Sequence, residues 1–208
     1  SYLIPHPVIR KITFTGSTPV GKQLAAMAGL HMKRATMELG GHAPVIVAKD
    51  ANIAHAIKMI SGAKFRNAGQ VCISPARFYV QQSIGEEFVE AARAAAERLV
   101  VGDGSRPGVT TGPLINAAAR DKVASFVQDA VQKGASVVTG AARPPAPERG
   151  YFYDPTLLTG VTSIMRVSCD EVFGPVMPIS LFAGMEDGLA AANGTPYGLV
   201  AGVWTRDG

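Results

Sequence analysis

The segment KITFTGSTPVGKQLAAMAGLHMKRATMEL (residues 11–39) indicates the fold class of the chain. KITF (11–14) carries β-branched and aromatic residues and predicts a strand. Residues 19–32 predict a helix, because Pro19 stands in a first-turn position and small or long apolar residues follow it. ATMEL (35–39) predicts a second strand that stops at a glycine pair. A strand, a helix and a further strand in this order are typical of the βαβ unit of an α/β protein.

The same alternation continues beyond residue 40. It predicts buried or half-buried strands at 44–48, 77–81, 136–140, 176–182 and 199–204, and helices at 52–65, 117–133 and 188–193. A capping box, Ser83-x-x-Glu86, predicts the start of a further helix that runs to about Val100. The helix at 117–133 is expected to bury one face formed by Val123, Phe126, Val127, Ala130 and Val131. Two stretches rich in Gly and Pro, 101–113 and 140–150, predict surface loops.

Composition excludes several classes of protein. Hydrophobic residues are 47% and charged residues 17% of the 208 positions, which favours a globular protein over a disordered one. The net charge is +4, but the Lys and Arg residues form no basic and aromatic stripe, so no nucleic-acid partner is expected. No apolar run reaches the roughly 18 to 20 residues of a membrane span, and no membrane partner is expected. With two distant cysteines, a reducing compartment such as the cytoplasm is expected.

The turn FTGSTPVG (14–21) is a candidate anion site. A strand that turns at glycine into a helix presents free backbone N–H groups and the positive end of the helix dipole. Gly16 would allow a phosphate to approach closely, and Ser17 could add a hydroxyl donor. Any capped strand–turn–helix looks similar, however, and no GxGxxG fingerprint is present.

Two acidic positions, Glu38 and Glu171, and the nearby Phe173 are candidates for catalysis or binding. Glu38 ends an apolar strand, where partial burial would raise the pKa of its carboxyl group and suit a general base. The alternative is a carboxylate at a loop edge that bonds to glycine amides. Glu171 and Phe173 precede a Gly-Pro turn and could bind a ribose and pack on a flat ring, or could be an edge residue and a core residue.

Cys72 lies within KFRNAGQVCISPARFYV (64–80), where Arg66 and Arg77 flank it in sequence. Nearby positive charge and the amides of an irregular turn would favour the thiolate form of a nucleophile. The alternative is a small buried side chain. Cys169 has acidic neighbours and is expected to be structural. The four histidines show no metal-ligand spacing, so no metal site is expected.

Taken together, FTGST, ELGG, N.GQ.C and E.FGP follow one another as in the aldehyde dehydrogenase superfamily, which this chain resembles from end to end. The separations agree as well, with 34 residues from Glu38 to Cys72 and 99 from Cys72 to Glu171. KFRN and GPLIN resemble the succinate-semialdehyde dehydrogenase branch. Other semialdehyde and broad-specificity enzymes share much of this sequence.

The resemblance implies an NAD- or NADP-dependent oxidation of a small-molecule aldehyde, with succinate semialdehyde as the leading substrate. It implies that Cys72 is the nucleophile, that Glu38 activates water, and that Arg66 binds the far carboxylate of the substrate. The cofactor contacts implied by the resemblance are Gly16, Ser17, Leu39, Glu171 and Phe173. A family member is more than twice as long as this chain and assembles as a homodimer or homotetramer.

The same resemblance implies two domains. Residues 1–39 would end an NAD(P)-binding domain of Rossmann-like fold, and residues 40–208 would form most of a catalytic domain with a mostly parallel sheet flanked by helices. Two further functions stay open from the residues. A cysteine hydrolase would pair Cys72 with a histidine, although it leaves FTGST and EVFGP unexplained. A non-catalytic relative would have no need of both Cys72 and Glu38.

Overall fold

The computed structural model describes residues 2–142 and 150–207. The chain divides into two compact units, Ser1–Gly41 and His42–Gly208. The loop expected at 140–150 lies partly outside the described residues, because 143–149 are not described. No described helix is long and apolar enough to cross a membrane.

The first unit is a single βαβ element. Strand β1 (Lys11–Thr15) pairs in parallel with β2 (Arg34–Glu38), and helix α1 (Thr18–Leu30) connects them. The helix begins after Ser17 with a proline in its first turn, as the sequence predicts. In the register of the pair, Thr15 lies opposite Glu38, so both strands end at the same edge of the sheet.

The second unit is built on a six-stranded sheet. Its strands are β3 (Pro44–Val47), β4 (Arg77–Gln81), β5 (Ser136–Thr139), β6 (Thr156–Thr159), β7 (Val176–Phe182) and β8 (Gly202–Trp204). Their order across the sheet is β5-β6-β7-β4-β3-β8, and only the β5–β6 pair is antiparallel. The predicted α/β class with a mostly parallel sheet is therefore confirmed.

Helices cover both faces of this sheet. They are α2 (Ile53–Phe65), α3 (Gly85–Glu97), α4 (Ala117–Gln132), the single turn α5 (Arg166–Cys169) and α6 (Met185–Asn193). Because side chains alternate along a strand, Phe78 and Val80 of β4 pack with α2 and α3, whereas Tyr79 joins a cluster with Ala192 of α6. A core buried on both faces explains why the central strands are continuously apolar.

Several details differ from the sequence predictions. Strand β6 and the turn α5 are not predicted, α6 begins three residues before the predicted 188–193, and β8 covers only the last three residues of the predicted 199–204. Ser83 does not cap a helix, because a 3₁₀ turn at Gln82–Ile84 comes first and α3 begins at Gly85 without a side-chain cap. The same helix ends at Glu97 and not at Val100. Val131 is 45% exposed, although the other four residues of its expected face are buried. It lies at the margin of that face, eight positions after Val123.

Candidate active site

In the second unit, the predicted site residues lie at the amino-terminal edge of the sheet. Cys72 precedes β4, and Glu171 and Phe173 precede the neighbouring strand β7. Ligand sites of open α/β sheets usually lie at the carboxyl ends of the strands. This rule alone would therefore have predicted a site at the carboxyl-terminal edge of the sheet.

Cys72 follows a strained turn. Residues Arg66–Gly69 form a 3₁₀ turn after α2, in which Asn67, Ala68 and Gly69 have φ values of 52°, 53° and 74°. Left-handed backbone costs an alanine about 1–2 kcal/mol, so the surroundings must impose the conformation of Ala68. Cys72 itself is half-buried, and Arg66 is exposed at the start of the turn. The thiol is a small side chain with access to solvent, not a core residue.

Gln70 fixes the shape of this turn. Its amide nitrogen donates to the carbonyl oxygens of Asn67 at 3.0 Å and Pro113 at 3.3 Å, and its amide oxygen accepts from the backbone N–H of Ile115 at 2.9 Å. The side chain of Asn67 in turn donates to the carbonyl oxygen of Gln70 at 3.1 Å. Both amide side chains of the N.GQ.C motif thus hold the backbone that leads to Cys72.

The segment that carries Glu171 and Phe173 packs directly on this turn. A β-carbon placed on Gly69 would lie 2.1 Å from the carbonyl oxygen of Gly174, so only glycine allows the two backbones to meet. Phe173 has a φ of 53° and lines a cavity of about 660 Å³ together with Asn67, Gln70 and Tyr151. The structure therefore brings the turn before Cys72 and the aromatic ring of Phe173 to one cavity.

Glu171 is half-buried and is held through its backbone, since the ammonium group of Lys122 donates to its carbonyl oxygen at 2.8 Å. Its carboxylate acts on Lys64, a lysine in the last turn of α2 with 2% exposure. Burial lowers the pKa of Lys64 from 10.5 to about 7, and the charge of Glu171 opposes that shift. Lys64 is not among the site residues predicted from the sequence, although its position on an apolar helix shortly before Cys72 could have indicated a buried lysine near the thiol.

Arg77 flanks Cys72 in sequence, but its guanidinium group is bonded to other residues. Its guanidinium group is buried and donates to the carbonyl oxygens of His42, Ala191 and Ala192 and to the hydroxyl of Tyr79, at 2.9 to 3.2 Å. These bonds cap the last turn of α6 and tie it to β4. Arg77 is therefore a structural brace.

The histidines of the second unit have other partners. Burial and the charge of Arg77 lower the pKa of His42 to about 3, so its ring is neutral. Its Nε2 lies 3.2 Å from the carbonyl oxygen of Val167, an atom that only accepts, and therefore carries the proton. His55 packs edge-on against Trp204. These contacts give no support to a Cys–His hydrolase.

In the first unit, Gly16 and Glu38 lie side by side. The backbone N–H of Gly16 donates to the carbonyl oxygen of Glu38 at 3.0 Å, at the carboxyl edge of the β1–β2 pair. The side chain of Ser17 makes no capping hydrogen bond and is available to a ligand at the N-terminus of α1. Leu39 packs on Gly21, where a β-carbon would lie 2.4 Å from its Cδ2 atom.

The side chain of Glu38 is exposed. The partial burial expected from the apolar sequence around it is not found, because Glu38 ends a strand that pairs on one side only within this chain.

Cys169, which precedes Asp170 and Glu171, is also exposed, and its thiol donates to the carbonyl oxygen of Ser163 at 3.2 Å. Among the residues that the structure describes, no group of three or more His, Cys, Asp or Glu could hold a metal ion.

Comparisons with known proteins identify the family. The model of the aldehyde dehydrogenase family matches residues 1–208. A mitochondrial succinate-semialdehyde dehydrogenase of Arabidopsis thaliana is 48% identical over 98% of this chain and 38% of its own length. A 3-sulfolactaldehyde dehydrogenase of Pseudomonas putida is 44% identical over 100% of this chain and 42% of its own.

Among solved structures, succinate-semialdehyde dehydrogenase from Burkholderia pseudomallei superposes with a TM-score of 0.96 at 42% identity. That superposition covers 99% of this chain and 42% of the Burkholderia chain. The chain thus spans about 40% of the length of the relatives that it matches.

Proposed function

Because the chain belongs to the aldehyde dehydrogenase family, we propose that it supplies the nucleophile, the water-activating base and part of the cofactor site of an NAD- or NADP-dependent semialdehyde dehydrogenase. The observation that carries this proposal is the cavity in which the strained turn before Cys72 meets the ring of Phe173. In the second unit, Phe173 offers a flat surface on which an aromatic ring could pack. In the first unit, the N-terminus of α1 with Ser17 offers hydrogen-bond donors to a phosphate.

When bound, the nicotinamide cofactor accepts a hydride from the substrate carbon. In the proposed reaction the thiolate of Cys72 attacks the aldehyde carbon and forms a thiohemiacetal. Oxidation of this adduct leaves a thioester on Cys72. Glu38 then removes a proton from water, which attacks the thioester and releases the carboxylic acid and the free thiol. In this proposal, Glu171 would hold the nicotinamide ribose and Phe173 would pack beside the ring. Gly16, Ser17 and Leu39 would contact the remainder of the cofactor.

For the substrate, we propose succinate semialdehyde, with Arg66 as the group that binds its far carboxylate. Arg66 is exposed six residues before Cys72, and its planar guanidinium group can bind a carboxylate through two parallel hydrogen bonds. The names of both relatives denote aldehydes with a second, anionic group, which supports a cationic clamp near the thiol. A broad-specificity enzyme would not need this residue.

The test uses a host enzyme, defined as the Arabidopsis relative with its matching segment replaced by residues 1–208. NAD(P)H absorbance is followed with succinate semialdehyde and with butanal, an uncharged aldehyde of the same length. Arg66→Ala is expected to raise the KM for succinate semialdehyde at least tenfold and that for butanal less than twofold. Arg106→Ala, an exposed arginine in the 101–113 loop, is the control. Equal effects of Arg66→Ala on both substrates would remove the clamp from the proposal.

A folded host enzyme that turns over neither aldehyde contradicts the proposed function itself. The 208-residue chain alone is expected to show little or no turnover, since it spans about 40% of its relatives. Rates with the isolated chain that match those of the host enzyme would refute that expectation.

A further inference from the structure

Lys64 is buried at a point where a lysine is unusual. It lies in the last turn of α2 with 2% exposure, and lysine is rarely buried to this degree unless it is paired. Eight residues later the chain reaches Cys72, and the hydroxyl of Ser74 donates to the carbonyl oxygen of Lys64 at 3.3 Å. The backbone of Lys64 is thus tied to both sides of the segment that carries the thiol.

The carboxylate of Glu171 is the acidic group whose charge acts on this ammonium. Its charge favours the charged form of Lys64, whereas burial opposes it. The backbone contact between Gly69 and Gly174 brings the two segments together, since Gly69 follows Lys64 by five residues and Gly174 follows Glu171 by three. Glu171 is also bonded through its carbonyl oxygen to Lys122, which limits the movement of its backbone.

Two other titratable or charged groups, His42 and Arg77, lie near Lys64 and Glu171. Lys64 contributes to the low pKa of His42, so that ring lies within reach of its charge, but His42 is neutral and bonded to Val167. Arg77 is permanently charged and is bonded to carbonyl oxygens and to Tyr79. Within residues 2–142 and 150–207, Glu171 is the carboxylate whose charge acts on Lys64.

We propose that Lys64 is a positioning residue, whose ammonium group holds the side chain of Glu171 against the segment that carries Cys72. The inference rests on the proposed function, in which Glu171 accepts hydrogen bonds from the nicotinamide ribose. A carboxylate that is fixed in direction is the better acceptor for ribose hydroxyls. The buried pair therefore links the position of the cofactor to that of the nucleophile.

The proton on Lys64 gives the pair a pH dependence. Lys64 loses its charge as the pH rises through about 7, so Glu171 is held less firmly above that value. The KM of the host enzyme for its cofactor is accordingly expected to rise between about pH 6 and pH 8. In Lys64→Met it is expected to be equally high at both values.

Kinetics of the host enzyme form the first arm of the test. At about pH 6, Lys64→Met is expected to raise the KM for the cofactor roughly tenfold while the KM for the aldehyde stays within twofold. Lys58→Met, an exposed lysine of the same helix, is the matched control and is expected to change neither. An active host enzyme in which Lys64→Met leaves the cofactor KM and its pH dependence unchanged overturns the inference. A folded host enzyme without turnover would instead contradict the proposed function.

The second arm needs no turnover and uses the 208-residue chain. The pKa of the Lys64 ammonium group is measured by a ¹⁵N NMR titration. Glu171→Gln is expected to lower it further, because the one charge that raises it is removed. Asp170→Asn, which neutralises the adjacent exposed carboxylate, is expected to leave it unchanged. A Lys64 pKa that does not respond to Glu171→Gln shows that the pair does not exist.

Discussion

Gly69→Ala is expected to damage both the stability and the activity of the protein, because two separate costs fall on this position. The φ of Gly69 is 74°, and left-handed backbone costs an alanine about 1–2 kcal/mol. The added β-carbon would also lie 2.1 Å from the carbonyl oxygen of Gly174, far inside van der Waals contact. A backbone that must move apart to relieve such overpacking costs about 1–3 kcal/mol more.

The two costs together predict a loss of about 2–5 kcal/mol in the free energy of unfolding. For a chain of this length each kcal/mol lowers the melting temperature by about 2–4 °C, so Gly69→Ala should melt roughly 4–20 °C lower. Circular dichroism of the 208-residue chain measures this shift. In the host enzyme, the same change should lower kcat/KM more than tenfold, because Phe173 and Glu171 move away from the turn before Cys72.

Gly108→Ala is the matched control. Gly108 has a φ of 82°, but nothing lies within 4 Å of a β-carbon built on it. Gly108→Ala carries the backbone cost alone, and its melting temperature should fall by roughly 2–8 °C with unchanged kcat/KM. Equal shifts for the two variants would show that the contact between Gly69 and Gly174 does not constrain the site. Full activity of Gly69→Ala would refute the argument that this contact positions Phe173.

Two further substitutions test the buried charges by thermal unfolding. Arg77→Lys keeps the charge but loses the planar group that bonds to His42, Ala192 and Tyr79, and it is expected to lower the free energy of unfolding by about 2–4 kcal/mol. The control, Arg93→Lys on the exposed face of α3, should lower it by less than about 0.5 kcal/mol. Similar losses in the two variants would contradict the bracing role of Arg77. The pKa of Lys64 is about 7 in the folded chain and 10.5 ordinarily, so between pH 7 and pH 10.5 the unfolded chain binds more protons than the folded chain. The free energy of unfolding should therefore rise as the pH increases from 7 to 10.5. Lys64→Met should abolish this rise and should not lower the melting temperature at about pH 6, whereas an unchanged rise would show that Lys64 is not the group responsible.

Much of the fold follows from local sequence. Pro19 and Ser17 mark the start of α1 because a proline without an N–H group suits the first turn of a helix. The apolar spacing in α4 identifies its buried face, except for Val131 at the margin. Ser83 misled the prediction, since a capping pattern cannot exclude a 3₁₀ turn that ends one residue before the helix.

The arrangement of the site follows from tertiary contacts that local sequence does not reveal. Arg77 stands near Cys72 in the chain, yet its partners Ala191 and Ala192 are more than a hundred residues away. Lys64 and Glu171 are also more than a hundred residues apart in sequence, and the segments that carry them come together because Gly69 allows close approach to Gly174. The exposure of Glu38 depends on which strands flank β2, and this too is a property of the fold.

The most direct test of the account is to trap the acyl group on the protein. The host enzyme is mixed with excess cofactor and succinate semialdehyde, quenched in acid within milliseconds and digested, and the peptides are weighed. We expect one acyl group on the peptide that contains Cys72. In Cys72→Ser this acyl group should be absent and turnover should fall at least about 10⁴-fold. In Cys169→Ser turnover should be unchanged. Retained turnover in Cys72→Ser, or an acyl group on another residue, would contradict the assignment of Cys72 as the nucleophile.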